Sequence, residues 1–158
     1  MDDMVKKTVL RLFTYGLYAV TTGDQQRWNV FTANWLSQVS FDPPLLALSV
    51  ENDSVSLPII RQTGHFAVHV FGDDQRDLSG SLGKSFAQHP EKLDLVTMEI
   101  GETGCPVLVG TLGRVECTVE GELPAGDSTL VLGRVVAAKE QRTGDPLTMR
   151  AAGFRHAG

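Results

Sequence analysis

Two short polar stretches hold the residue types best able to engage a small molecule. Phe31-Thr32-Ala33-Asn34-Trp35-Leu36-Ser37-Gln38 lies between two β-like runs and offers backbone N–H groups, a hydroxyl and a carboxamide in extended geometry. That set suits the hydrogen-bonding edge of a planar heterocycle. Shortly after it, Ser54 and Ser56 stand where a helix is predicted to begin. Two hydroxyls, free backbone amides and the positive end of a helix dipole there make a place for an anion. On the residues alone a second interpretation stands beside this one, in which Thr32 and Asn34 form a turn and Ser54 only caps its helix.

Other patterns do not carry chemistry. Gly83-Lys84-Ser85 has the ending of a phosphate-binding P-loop, but the glycine needed five positions earlier is Leu78, and no strand leads directly into the run. His65 and His69 have a helical metal-ligand spacing but flank Phe66-Ala67-Val68, which reads as a strand. Four residues along a strand span roughly 13 Å, too far for two side chains to share one metal. Neither a GxGxxG nor a GxSxG motif is present, which excludes a Rossmann domain and an α/β-hydrolase. Cys105 and Cys117 lack CxxC spacing; Cys117 alternates with apolar neighbours as a core residue, and Cys105, at a turn, is the one candidate for a reactive thiol.

The elements that position these residues are mostly strands. Apolar alternation between turn residues predicts strands at Tyr15–Thr21, Ser37–Phe41, Leu45–Val50 and Phe66–Phe71, with Asp42-Pro43-Pro44 as a tight connection. Two longer strands, Leu112–Glu120 and Ser128–Lys139, flank the turn Leu123–Asp127 as an antiparallel hairpin. Val5, Val9, Leu12 and Phe13 have helical spacing and predict an amphipathic helix over Met4–Phe13. A second helix follows Val50, with Ser54 as N-cap, Pro58 in the first turn where its missing N–H is harmless, and Gly64 as its end. A third runs from about Gln75 to Phe86. Six short strands with helices at the margins read as a closed or partly closed barrel, because closure removes exposed sheet edges.

Composition narrows the function classes. The chain has 158 residues, 42% of them apolar and 21% charged, which fits one domain able to bury a sizeable core. No apolar run approaches the ~20 residues that span a bilayer. The acidic start Met1-Asp2-Asp3 is unlike a secretory signal, so a cytoplasmic location is expected. A net charge of −5 without a basic stripe argues against nucleic acid as a partner.

The ordered set Gly16–Thr22, Thr32–Trp35, Gln38–Pro44, Leu48–Val50, Gly64–Val68 and Leu132–Val135 resembles the flavin reductase-like, FMN-binding split-barrel family across nearly the whole chain. The resemblance implies a mainly β fold, a six-stranded Greek-key split barrel with short peripheral helices, forming one domain over residues 1–158 and a homodimer with the flavin near the subunit boundary. It implies that Thr32, Ala33, Asn34 and Trp35 lie along the isoalloxazine ring, with main-chain groups and the Thr32 and Asn34 side chains at its polar edge. The stretch Ser49 to Ser56, with Val50, Asn52 and Ser54, is implied to wrap the ribityl chain and phosphate, and Lys84 to add a cation there. The cofactor expected is FMN, with FAD as the alternative. The resemblance also implies NADH or NADPH as electron donor and free flavin, a monooxygenase or another protein as acceptor. No catalytic side chain is implied. Two departures stand out: Ser128 after Gly126-Asp127, where many relatives carry histidine beside the flavin and nicotinamide site, and His156 in Gly153–Gly158, where tyrosine is common. The first favours a competing expectation, a flavin-binding electron carrier that does not itself oxidise NAD(P)H. A third keeps the barrel but binds haem or another cofactor.

Overall fold

A single antiparallel sheet of seven strands organises the chain, in the order β2-β1-β5-β8-β9-β4-β3. The computed structural model describes residues 1–156; Ala157 and Gly158, the end of the C-terminal run noted above, lie outside the described residues. The strands are β1 (Tyr18–Gly23), β2 (Trp28–Ala33), β3 (Leu36–Phe41), β4 (Pro44–Glu51), β5 (His65–Val70), β8 (Gly113–Ala125) and β9 (Ser128–Glu140). A separate pair, β6 (Met98–Ile100) and β7 (Pro106–Leu108), lies outside this sheet. Helices α1 (Asp3–Leu10), α2 (Ser56–Thr63), α3 (Arg76–Leu82) and α4 (Met149–Ala152) are short, and 3-10 turns cover Asp73–Gln75 and Pro90–Leu95. No helix among the described residues is long and apolar enough to cross a membrane.

The sheet has one strand more than the six expected, and it is not closed by pairing between its edges. The added strand is β2. Its polar residues Asn29 and Thr32 break the apolar alternation that marks a strand, yet Asn29 is buried and β2 pairs with β1 along its whole length. The two edges, β2 and β3, are joined by only Asn34 and Trp35. A two-residue link brings the two outer strands together at that point, so the sheet must curl.

Several boundaries also move. Helix α1 stops at Leu10, capped by the Asp2 carboxylate on the N–H groups of Met4 and Val5, and leaves Leu12 and Phe13 beyond its end. None of its residues is buried, so its apolar face has nothing to pack against in the protomer. Helix α2 begins at Ser56 with Val55 at the N-cap position, one residue later than predicted, although the Ser54 hydroxyl still accepts from Leu57 N–H at 3.2 Å. Gly64 ends it in the left-handed region, φ 73°, as a glycine does without strain. Helix α3 ends at Leu82 and does not continue to Phe86. The late hairpin closes tightly: β8 runs through Pro124 to Ala125, which pairs with Ser128, leaving Gly126 and Asp127 as the loop.

One core cluster gathers Val20, Leu48, Val50, Leu57, Ile60, Phe66, Cys117 and Val131, joining α2 to the sheet. A Cβ at Gly133 would run into the Phe66 ring and Cys117, so glycine there lets Phe66 lie beneath β9. A second cluster, with Leu17, Val30, Phe71, Leu82, Leu108 and Met149, ties α3, β7 and the C-terminal segment to the sheet.

The two histidines of the apparent metal spacing have separate partners. The Nε2 of His65 lies 2.9 Å from Gly23 O, whereas His69 is fully buried between Ala19 O, 3.1 Å from Nδ1, and the Leu108 N–H, which donates to Nε2 at 2.9 Å. Burial lowers the His69 pKa to about 4, against the Ala19 hydrogen bond, and keeps the ring neutral. Cys105 is buried as well. Burial pushes its thiol up to about 12, which removes the thiolate a reactive cysteine needs.

Candidate functional site

The register between β3 and β4 builds the site. Leu36 pairs with Leu48, so the last residues of β4, from Ser49 onward, run beside the residues that precede Leu36. Ser49 N–H donates to Trp35 O at 3.0 Å and extends that pairing to the link between the sheet edges. The Thr32–Trp35 stretch and the Ser49–Ser56 stretch thereby reach one cleft of about 840 Å³. Clefts for ligands of drug size span about 300–1,000 Å³.

Thr32, Ala33, Asn34, Trp35, Ser49, Val50, Ser54, Ser56 and Lys84 all line this cleft. Asn52 does not. Its side chain bridges the late hairpin instead: Nδ2 donates to Gly126 O at 3.2 Å and Oδ1 accepts from the Thr129 hydroxyl at 2.7 Å.

Several of the polar side chains in the wall are held by protein partners. The Thr32 hydroxyl donates to Ser79 O and fastens β2 to α3. The Asn34 amide donates to His156 O at 3.2 Å and to Met149 Sδ at 3.0 Å, drawing the C-terminal segment against the cleft. What these two residues leave towards a ligand is lone pairs and main chain. Ser54 and Ser56 are in the opposite condition: each hydroxyl accepts a protein hydrogen bond, from Leu57 N–H and from Asn29 Nδ2 at 2.9 Å, and keeps its own proton to donate.

Other residues complete the lining, of which Phe86 gave no signal in the sequence. Phe31, Phe86 and Phe154 are half-buried and give the cleft apolar wall. The Arg76 guanidinium lies 5.2 Å from the centre of the Phe154 ring, and its Nε donates to Ala152 O at 2.7 Å, so α3 carries the tail into place. The His156 ring is tilted against Trp35 with centroids 5.3 Å apart. Ser128 is buried in the cleft wall and donates to Asp127 Oδ1 at 3.2 Å.

Lys92, on the 3-10 turn Pro90–Leu95, is 3% exposed, and its ammonium donates to Leu82 O at 3.1 Å and Lys84 O at 2.8 Å. Burial lowers its pKa to about 8. In the sequence it sits in His89-Pro90-Glu91-Lys92, a polar run that gives no sign of burial.

The arrangement can hold a flat, partly apolar molecule against β2 and the link, and an anionic end near hydroxyls and lysines. The sequence profile of the family described as "Flavin reductase like domain" matches residues 10–158. The chain is 35% identical over 148 residues to FMN reductase (NADH) SmoA of Agrobacterium fabrum, covering 94% of this chain and 82% of that protein. It is 28% identical to the reductase subunit HsaB of a flavin-dependent monooxygenase from Rhodococcus jostii, covering 93% and 74%. The crystal structure of BorF, the flavin reductase component of a bacterial two-component tryptophan halogenase, superposes with a TM-score of 0.82 at 27% identity, covering 99% and 98% of the two chains.

Proposed function

The chain belongs to the flavin reductase like domain family, and from that membership we propose that it is an FMN-binding, NAD(P)H-dependent flavin reductase whose electrons pass to free flavin or to a partner oxygenase. We read it further as one cytoplasmic domain over residues 1–158, and the curled sheet as the family's split Greek-key barrel. The observation that carries the reading is the convergence on one cleft of Thr32–Trp35, from the β2 edge and its link to β3, and Ser49–Ser56, from the end of β4 and the start of α2.

The residues present fit a flavin mononucleotide. Bound FMN would supply the hydride-accepting chemistry. The chain's own part is to hold the ring along Thr32–Trp35, to keep water away with Phe31, Phe86 and Phe154, and to donate from Ser54 and Ser56 to the phosphate. Lys84, exposed on the same wall, adds positive charge there. An electron-carrier reading draws on Ser128, which brings a hydroxyl and no imidazole to the cleft. Anaerobic mixing of the FMN-loaded protein with NADH and with NADPH separates the two: bleaching of the flavin band within seconds is expected, and a band unchanged after minutes would leave the carrier.

A homodimer is part of the proposal. Phe41 at the end of β3 is 91% exposed, and Val39 together with Met4, Val5 and Val9 of α1 is also left in solvent, more apolar surface than a lone protomer has reason to show. Sedimentation at micromolar concentration should give twice 17.1 kDa, and a monomer that retains flavin would refute the dimer.

A further inference from the structure

Lys92 carries a charge whose location needs an explanation. A lysine ammonium has three protons to donate, and the two carbonyls that hold it, Leu82 O and Lys84 O, leave one without a partner. Carbonyl dipoles orient the ammonium but supply no opposite charge, and Lys92 makes no ion pair among the described residues. A buried, uncompensated charge is unfavourable in a folded protein unless something outside the chain completes it. The cleft that Lys92 lines is the place from which that completion can come.

We infer that Lys92 supplies the counter-charge by which the cleft favours phosphorylated flavins over riboflavin, its fixed ammonium facing the ligand's terminal phosphate beside the hydroxyls of Ser54 and Ser56. The inference rests on the flavin reading of the preceding subsection. Lys84 plays a lesser part, because its side chain is exposed and water screens its charge, whereas Lys92 is buried and locked by two hydrogen bonds. The ammonium also joins the end of α3 to the 3-10 turn, so an anion drawn to Lys92 meets a loop already in place.

The test compares FMN with riboflavin on wild type, Lys92→Gln and Lys84→Gln by fluorescence titration, with the melting temperature in inorganic phosphate as a second readout. Glutamine retains donors for the two carbonyls and removes the charge. Lys92→Gln is expected to weaken FMN by about tenfold or more while riboflavin stays within about twofold, and Lys84→Gln to weaken FMN by less than about threefold. Phosphate should raise the melting temperature of wild type and not of Lys92→Gln. Equal losses for FMN and riboflavin would reduce Lys92 to a brace for the loop and overturn the inference, as would an unchanged FMN affinity. Should Lys92→Gln fail to fold, wild type alone decides through pH: a preference for FMN over riboflavin that falls as the pH rises from about 7 to about 9.5, where the Lys92 ammonium is lost and the serines do not titrate, supports the inference, and a preference constant over that range overturns it. Failure of the flavin reading is separately visible, since neither flavin would then bind while phosphate still stabilised wild type.

Discussion

Replacing Ser54 and Ser56 together by alanine is expected to weaken FMN binding by about a hundredfold or more. Each hydroxyl already receives a protein hydrogen bond, Ser54 from Leu57 N–H and Ser56 from the Asn29 amide, so its proton is free for a phosphate oxygen. A hydrogen bond to a charged group contributes about 1.5–3 kcal/mol, or about ten- to hundredfold in affinity for each serine. Ser54→Ala also removes an acceptor at the start of α2, which costs about 1 kcal/mol of stability but leaves the cleft walls in place. Flavin fluorescence quenching measures the loss, and riboflavin, which lacks the phosphate, is the control. An unchanged FMN dissociation constant would mean that the phosphate binds elsewhere.

The second large effect is on stability in acid, through His69. Its Nε2 accepts from Leu108 N–H, so the neutral ring carries its proton on Nδ1 and donates to Ala19 O. A second proton would have to go on Nε2, breaking that bond and burying a charge. The folded pKa of about 4 lies below the ordinary 6.5, so between these values the unfolded chain binds a proton that the folded one refuses. The contribution is therefore complete above pH 6.5 and is lost as the pH falls towards 4, by about 3 kcal/mol in all. Urea melts of wild type and His69→Gln at several pH values between 7 and 4 should show the extra slope in wild type alone. Carboxylates add a common slope below pH 5, so the difference between the two proteins is the quantity to read. Parallel profiles would show that the ring titrates as a solvent-exposed one does.

The strand-rich plan was legible in the sequence wherever apolar residues alternate between turn residues, as in β4, β5 and β9. It failed at β2, where Asn29 and Thr32 turn polar groups inward: Asn29 is spent on Ser56 and Thr32 on Ser79, contacts made by residues far apart in sequence. Local turn chemistry also misjudged the late hairpin, because Pro124 reads as a turn residue and instead lies in the last stretch of β8. At the site, the two polar stretches could be picked out by residue type, but their meeting depends on the pairing of Leu36 with Leu48, which no local pattern encodes. Asn52 looked like its neighbours and belongs to the hairpin turn. Lys92 and Met149 gave no signal, and the tail Gly153–His156 stood out only through the family resemblance, since their place in the cleft comes from packing on α3 and β2.

The bonds made by Thr32 and Asn34 bear on how such a cleft diverges. Thr32 is bolted to Ser79, and Asn34 to Met149 and His156, whereas the side chains of Ala33 and Trp35 make no hydrogen bond that assembles the cleft. Ala33, however, belongs to the buried core cluster with Val20 and Leu48, so it is drift at Trp35 that alters mainly the surface a bound ring would meet. A change at 32 or 34 loosens α3 or the tail and needs a matching change on the other side of the bond. Lineages that come to serve different acceptors are thus freest to vary at Trp35 and at the exposed side chains of the tail. An inhibitor meant to distinguish this protein from its relatives would find its selectivity there, at the rim between Trp35 and His156, and not along the backbone of the link.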